Sequence, residues 1–203
     1  MINDWFIAHD ALIGTSRLPT LAHVRRRISV AELLMLFASG AAAAAAVGRA
    51  KLGLGIPGHS IVLAALPMAF GMALAPRRFA GSVMSAGALA VASLLAVAGV
   101  ADYGSGSFVS LCLLGPMMDA ALRNARDGRR VYIALIVAGI ATNLLALGSR
   151  AGAKLLDLDT GGGRPFDHWW LQASLTYTIS GAVAGLLGAL CWFQLRNRRS
   201  RRT

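Results

Sequence analysis

Long uncharged apolar runs alternate with short basic clusters along the chain. The runs occupy 30–48, 61–75, 79–100, 108–122, 131–147 and 171–195. A helix needs about 20 apolar residues to cross the hydrocarbon core of a bilayer. The second run is shorter and contains Pro67. None of the runs sustains the alternation typical of a barrel strand, so the pattern predicts an all-α integral membrane protein with six transmembrane helices.

Composition agrees with a membrane-embedded chain. Of the 203 residues, 56% are hydrophobic and only 14% are charged, whereas soluble domains carry about 25% charged residues. The mean hydropathy is +0.61. The net charge of +11 does not predict a nucleic-acid partner, because the arginines lie in short clusters between apolar runs rather than on one face. Cys112 and Cys191 lie inside apolar runs and have neither metal-site nor disulfide spacing.

The distribution of basic residues predicts the topology. If the amino terminus is cytoplasmic, 15 of the 20 lysines and arginines lie in inner segments and 5 lie in outer loops. This bias predicts a multi-pass protein of the cell (inner) membrane with both termini in the cytoplasm. The expected organisation is a cytoplasmic lead-in at 1–28 with no signal peptide, a six-helix transmembrane domain at 29–196 and a basic cytoplasmic tail at 197–203.

The outer loops hold most of the polar chemistry that is not arginine. Binding groups often lie on loops held by a rigid scaffold, so we expect an outward ligand site covered by three loops. Asn143 lies near the outer end of the fifth run, where an intramembrane polar group usually faces the bundle interior. The candidate ligand-binding residues are His59, Asp102, Tyr103, Asn143, Asp157, Asp159, His168 and Trp169.

Several of these residues have a structural alternative. His59 could cap the second helix or bind a loop carbonyl. Asp157 and Asp159 could pair with Lys154 and Arg164. Trp169, followed by Trp170, could be a membrane-interface anchor.

Two acidic residues inside apolar runs have expected structural roles. Asp119 could pair with Arg123 one helical turn later. Glu32 could offset the basic cluster at 25–27.

The first run carries a strip of small residues. Ala38, Ala42 and Ala46 recur every four residues, and such strips allow another helix to approach closely. The favoured interpretation is a docking strip for another membrane subunit, and the alternative is packing inside this chain.

Together these features resemble the substrate-binding (S) components of energy-coupling factor (ECF) transporters. The resemblance covers about 30–195 and rests on six short spans, the alanine strip and a long Gly/Pro loop before "IVLAALPMAFGMALAPRRFAGSVMSAGALA". The "IPGH" at 56–59 is loosely similar to the "IPDG" of cobalt- and nickel-specific members, but their Met-His amino terminus has no match in Met1-Ile2-Asn3. The positions in this stretch that fit the family layout are Pro67, Gly71, Pro76, Gly81 and Gly87.

The resemblance implies a mechanism and partners. An S component binds a vitamin or metal ion from outside, docks on a transmembrane coupling subunit through its alanine strip, and topples in the bilayer to release its cargo. Two cytoplasmic ATPases drive the coupling subunit. This chain contains no Walker sequence, so ATP hydrolysis is assigned to the partners. The expected cargo is a small, vitamin-like molecule, and no cofactor is expected.

Three other functions stay open at this stage. A structural or accessory membrane subunit needs no ligand of its own, and a metal-ion uptake component would bind cobalt or nickel. An enzyme is disfavoured, because the chain contains neither H-E-x-x-H nor G-x-S-x-G.

Overall fold

The computed structural model describes residues 29–49, 58–77, 79–124, 128–156 and 166–200, and all regular structure within them is helical. The expected all-α class is therefore confirmed for this part of the chain. Its six helices are α1 Val30–Arg49, α2 Ser60–Leu74, α3 Ala80–Val97, α4 Ser105–Asn124, α5 Gly128–Leu155 and α6 Phe166–Ser200.

The six helices close into a ring. Around the bundle, α1 packs on α3, α3 on α4, α4 on α5, α5 on α6, α6 on α2, and α2 back on α1. The short helix α2 also contacts α3 and α4, and more than half of its residues are buried. It therefore lies deepest in the bundle, although it is shorter than the other five.

Contacts at the two ends show that helices consecutive along the chain alternate in direction. At one end, Glu32 near the start of α1 pairs with Arg77 just after α2 at 2.7 Å. At the same end, Asp119 near the end of α4 accepts from the start of α3. At the other end, Tyr103 before α4 donates to the Ala44 carbonyl in the second half of α1. We call these the Glu32 end and the Tyr103 end.

Glycines allow several helix pairs to approach at backbone distance. A Cβ added to Gly40 on α1 would overlap the Met84 carbonyl on α3, and one added to Gly115 on α4 would overlap the Gly81 carbonyl. Likewise, a Cβ on Gly139 in α5 would overlap the Gly181 carbonyl in α6. Such contacts, typical of helices packed through small residues, hold three edges of the ring together.

The outer surface of the bundle is apolar. Five of the described helices are long and apolar enough to cross a membrane, and the sixth, Ser60–Leu74, is a shorter apolar helix. Large apolar side chains are exposed on every described helix except α4. Exposed apolar area on this scale is costly in water, so the fold is compatible with a multi-pass membrane protein.

Helix boundaries differ from the apolar runs mainly at the last two helices. α5 continues to Leu155 and α6 begins at Phe166 and reaches Ser200, whereas the runs ended at 147 and covered 171–195. Hydropathy marks where the chain can enter lipid, not where helical hydrogen bonding stops, so polar turns extend both helices beyond the apolar runs. α2 continues through Pro67 without a break in helix.

One expectation about an acidic residue was wrong. Asp119 does not pair with Arg123. Its carboxylate accepts from the Gly81 and Ser82 backbone N–H groups and from the Ser82 hydroxyl, all at 2.8 Å, since the unsatisfied N–H groups of a helix start and its dipole favour an anion.

The basic cluster at 25–27 lies outside the described residues, so its expected offset by Glu32 stays a prediction. Glu32 pairs with Arg77. It also forms a reciprocal capping box with Ser29. This double role fixes the start of α1 against the end of α2.

Candidate functional site

Asn143 joins three segments at the Tyr103 end of the bundle. It lies on α5 with its side chain fully buried. Its amide Nδ2 donates to the Tyr177 carbonyl on α6 at 2.7 Å and to the Gly58 carbonyl, just before α2, at 3.3 Å. One side chain therefore ties α5, α6 and the entry to α2 together.

The orientation of the Asn143 amide follows from these bonds. Both partners are carbonyl oxygens, which only accept, so the NH₂ group must face them. The Oδ1 atom is left buried with no hydrogen-bond partner among the described residues. An unpaired buried acceptor costs about 1–3 kcal/mol, so its presence requires an explanation.

Thr142, the residue before Asn143, also buries a polar atom without a hydrogen-bond partner among the described residues. Its side chain is fully buried and its Oγ1 has no partner among the described residues. Other helical hydroxyls in this chain donate back to the preceding turn, as Thr178 does to the Ser174 carbonyl at 2.8 Å. Two consecutive residues of α5 thus bury unpaired polar atoms.

Gly58 and His59 form the turn that leads into α2. Gly58 adopts a φ of +83°, a left-handed conformation that favours glycine. A Cβ at this position would lie 3.0 Å from Asn143 Nδ2 and 3.0 Å from the Tyr177 ring, so the close contact also requires glycine. His59 is half-buried, and its side chain makes no capping bond to α2. The capping alternative for His59 is therefore not realised.

A small apolar cluster surrounds Tyr177. It consists of Ala146 and Leu147 from α5 with Ala173 and Tyr177 from α6, and Val109 of α4 packs against it. The start of α4 is also close, because a Cβ on Gly106 would lie 3.6 Å from the Tyr177 hydroxyl. The apolar groups of α4, α5 and α6 therefore lie beside the polar junction at Asn143.

Tyr103 lies at the same end but on the α1 side. Its ring is buried against Phe108 with centroids 5.5 Å apart, and its hydroxyl donates to the Ala44 carbonyl at 2.9 Å. Burial raises the pKa of this phenol above its ordinary value, so the hydroxyl stays a donor. Here Tyr103 links the α3–α4 turn to α1, and its assignment as a ligand contact stays a prediction.

The remaining predicted site residues are only partly covered by the structure. Asp102 is exposed in the α3–α4 turn. Asp157 and Asp159 lie outside the described residues, and the side chains of His168 and Trp169 at the start of α6 do too. The structure thus brings His59 and Asn143 together through Gly58. No group of three or more His, Cys, Asp or Glu side chains that could hold a metal occurs in the part of the chain described.

The alanine strip lies on the outside of α1. Ala38 and Ala42 are exposed and Ala46 is half-buried. The buried face of α1 is formed by a different set of residues, which are Leu36, Gly40, Ala43, Ala44 and Gly48. Internal packing therefore uses the neighbouring stripe and leaves the outer part of the strip available to lipid or to another helix.

No family model, curated protein or solved structure matches this chain. The function of the site is therefore inferred from the residues that form it.

Sequence reasoning missed Tyr177 and Thr142. Tyr177 lies within "LTYTIS", and a tyrosine inside an apolar span needs a polar partner, which could have marked it. Thr142 carried no signal, because most helical threonines bond to their own helix.

Proposed function

We propose that this chain is the substrate-binding (S) subunit of an ECF-type uptake transporter. It would capture a small, vitamin-like molecule from outside the cell and dock on an energising module that supplies ATP hydrolysis. The observation that carries the proposal is the junction at Asn143, where a buried, unpaired acceptor lies beneath the Gly58–His59 turn. The basic-residue bias assigns the Tyr103 end of the bundle to the outside.

The junction supports ligand capture for two reasons. First, Asn143 binds the Gly58 carbonyl at the entry to α2 through a hydrogen bond of 3.3 Å, and breaking this contact has a modest cost, since a net hydrogen bond contributes about 0.5–1.5 kcal/mol. Second, Asn143 Oδ1, on the same amide group, is a buried acceptor with no hydrogen-bond partner among the described residues. A ligand that donates a hydrogen bond to Oδ1 would offset the free-energy cost of burying that atom while the turn closes over the ligand.

The outer surface of α1 supports docking. α1 has the smallest buried share of the five long apolar helices, and its exposed face includes Ala38 and Ala42. Small residues on a lipid-facing surface allow the close helix approach that drives association in membranes. In this proposal that surface contacts the transmembrane coupling subunit, and the cytoplasmic ATPases bind the coupling subunit in turn.

Ligand capture is tested by thermal shift of detergent-purified protein against vitamins and divalent metals, repeated with His59→Ala, Asn143→Ala and Trp169→Ala. A ligand at one hundred times its Kd stabilises the protein by about 2.7 kcal/mol. Loss of one buried hydrogen bond to the ligand should cost about 1–3 kcal/mol of affinity, or ten-fold or more in Kd.

The unliganded melting temperatures separate ligand contact from fold. Asn143→Ala should also lower the unliganded melting temperature, because its amide holds Gly58 and Tyr177. For His59→Ala, the loss of ligand shift is measured against the unliganded melting temperature of the same variant. A ligand shift that survives all three substitutions would place the binding site elsewhere. No shift across the panel would favour an accessory membrane subunit.

A further inference from the structure

Thr142 and Asn143 lie consecutively on α5 and are both fully buried, and each has an oxygen with no hydrogen-bond partner among the described residues. We infer that these two oxygens form the polar floor of the ligand site and select a neutral molecule that presents an N–H or O–H donor on an otherwise apolar body. The inference rests on the proposed function and adds to it a substrate class and a specificity residue, Thr142.

The hydrogen-bonding capacity of the two atoms sets the chemistry of the guest. Asn143 Oδ1 is a carbonyl oxygen and can only accept, and both donors of the NH₂ group are used by Tyr177 and Gly58. The guest must therefore donate to it. The Thr142 hydroxyl both donates and accepts, so it complements a donor with a neighbouring carbonyl or ring nitrogen. A ring amide or a similar heterocyclic edge has this pattern.

The surroundings favour a guest without net charge. Neither 131–149 on α5 nor 170–195 on α6 contains an aspartate, glutamate, lysine or arginine. A charged group buried there would gain no opposite charge from either helix, and uncompensated burial of a charge is strongly unfavourable. The cluster of Ala146, Leu147, Ala173 and Tyr177 with Val109 instead supplies apolar contact.

The same arrangement couples the guest to the entry of α2. A donor bound to Oδ1 polarises the Asn143 amide and strengthens the hydrogen bonds that its NH₂ group makes. One of those bonds is the 3.3 Å contact to the Gly58 carbonyl. Occupancy of the site therefore tightens the Gly58–His59 turn over the guest.

Thr142→Val tests the inference, because valine has nearly the shape of threonine but lacks the hydroxyl. Replacing an unpaired buried hydroxyl by a methyl group is neutral or stabilising, so the unliganded melting temperature should equal or exceed that of the wild type. Thr178→Val is the matched control, because the Thr178 hydroxyl is already paired within its own helix.

The probes are riboflavin and nicotinamide as neutral donors, thiamine and Co²⁺ as cations, and pantothenate as an anion. We expect at least one neutral probe to raise the melting temperature of the wild type and of Thr178→Val. Its affinity for Thr142→Val should be about ten-fold weaker or worse, as loss of one buried hydrogen bond predicts.

Each other outcome overturns the inference. A lower unliganded melting temperature for Thr142→Val would mean that the hydroxyl is paired, for example through a structural water. A shift that only thiamine, Co²⁺ or pantothenate produces, or a neutral-probe shift that Thr142→Val leaves intact, would refute the substrate class while leaving the proposed binding function in place. No shift with any probe would refute the inference, and the proposed function would then depend on the partner copurification described in the Discussion.

Discussion

Asp119 on α4 accepts a hydrogen bond from the backbone N–H of Gly81 on α3 at 2.8 Å, across 38 residues of sequence. The Ser82 N–H and hydroxyl bind the same carboxylate. A side chain from one helix thus caps the start of its neighbour, where N–H groups lack intrahelical partners. The contact fixes α3 against α4 at the Glu32 end of the bundle.

Removing this carboxylate should destabilise the protein. Asp119→Ala leaves two backbone N–H groups and one hydroxyl without their partner, so we expect the free energy of unfolding to fall by about 1–3 kcal/mol. Asp119→Asn retains one acceptor oxygen and should cost less. Thermal unfolding in detergent measures both variants. Asp102→Ala, at an exposed acidic residue, is the control, and an equal loss there would contradict the capping role of Asp119.

Gly139 and Gly148 on α5 give a matched pair for the close packing of α5 on α6. Gly139→Ala places a methyl group against the Gly181 carbonyl and should destabilise the protein by about 1–3 kcal/mol, as overpacking usually does. Gly148→Ala meets nothing within 4 Å and should be neutral or stabilising by up to about 1 kcal/mol, because alanine has the higher helix propensity. Thermal unfolding distinguishes the two, and a neutral Gly139→Ala would contradict the packing.

The orientation of the bundle is tested by cysteine labelling from outside the cell. Cys112 and Cys191 are first replaced by alanine, since both are free thiols and Cys112 is exposed. A membrane-impermeant reagent should then label Ser105→Cys, at the start of α4, but not Asp127→Cys, in the basic connection at 123–130. The reverse pattern would show that both termini are outside and would remove the basis for an outward ligand site.

Much of the fold could be predicted from the sequence, because membrane insertion is governed by local apolar runs. Each of the six runs corresponds to one helix, and the second helix tolerates Pro67 inside a crowded bundle. The helix ends were less predictable. Residues 148–155 include two basic residues and two glycines, so neither hydropathy nor helix propensity predicts that α5 continues through them.

The candidate site was predictable only in part. A lone asparagine in an apolar span marks a buried polar contact, and Asn143 is such a residue. Its partner Gly58 is 85 residues away in sequence, and no periodicity reports a contact at that separation. The role of Asp119 was missed for a similar reason. The four-residue spacing to Arg123 suggested a local ion pair, whereas the carboxylate binds the N–H groups at the start of α3, which lack partners within their own helix.

The central claim is that this chain binds a coupling subunit driven by ATPases, and copurification from its native membranes tests it most directly. Tagged wild-type protein, Ala42→Leu and Ala120→Leu are purified in mild detergent, and associated proteins are identified by mass spectrometry. Both alanines are exposed, Ala42 on the outer face of α1 and Ala120 on α4. We predict that the wild type and Ala120→Leu retain a multi-pass membrane protein together with ATPases that contain Walker motifs, and that Ala42→Leu loses them. Absence of such ATPases from the wild-type preparation would contradict the proposed function.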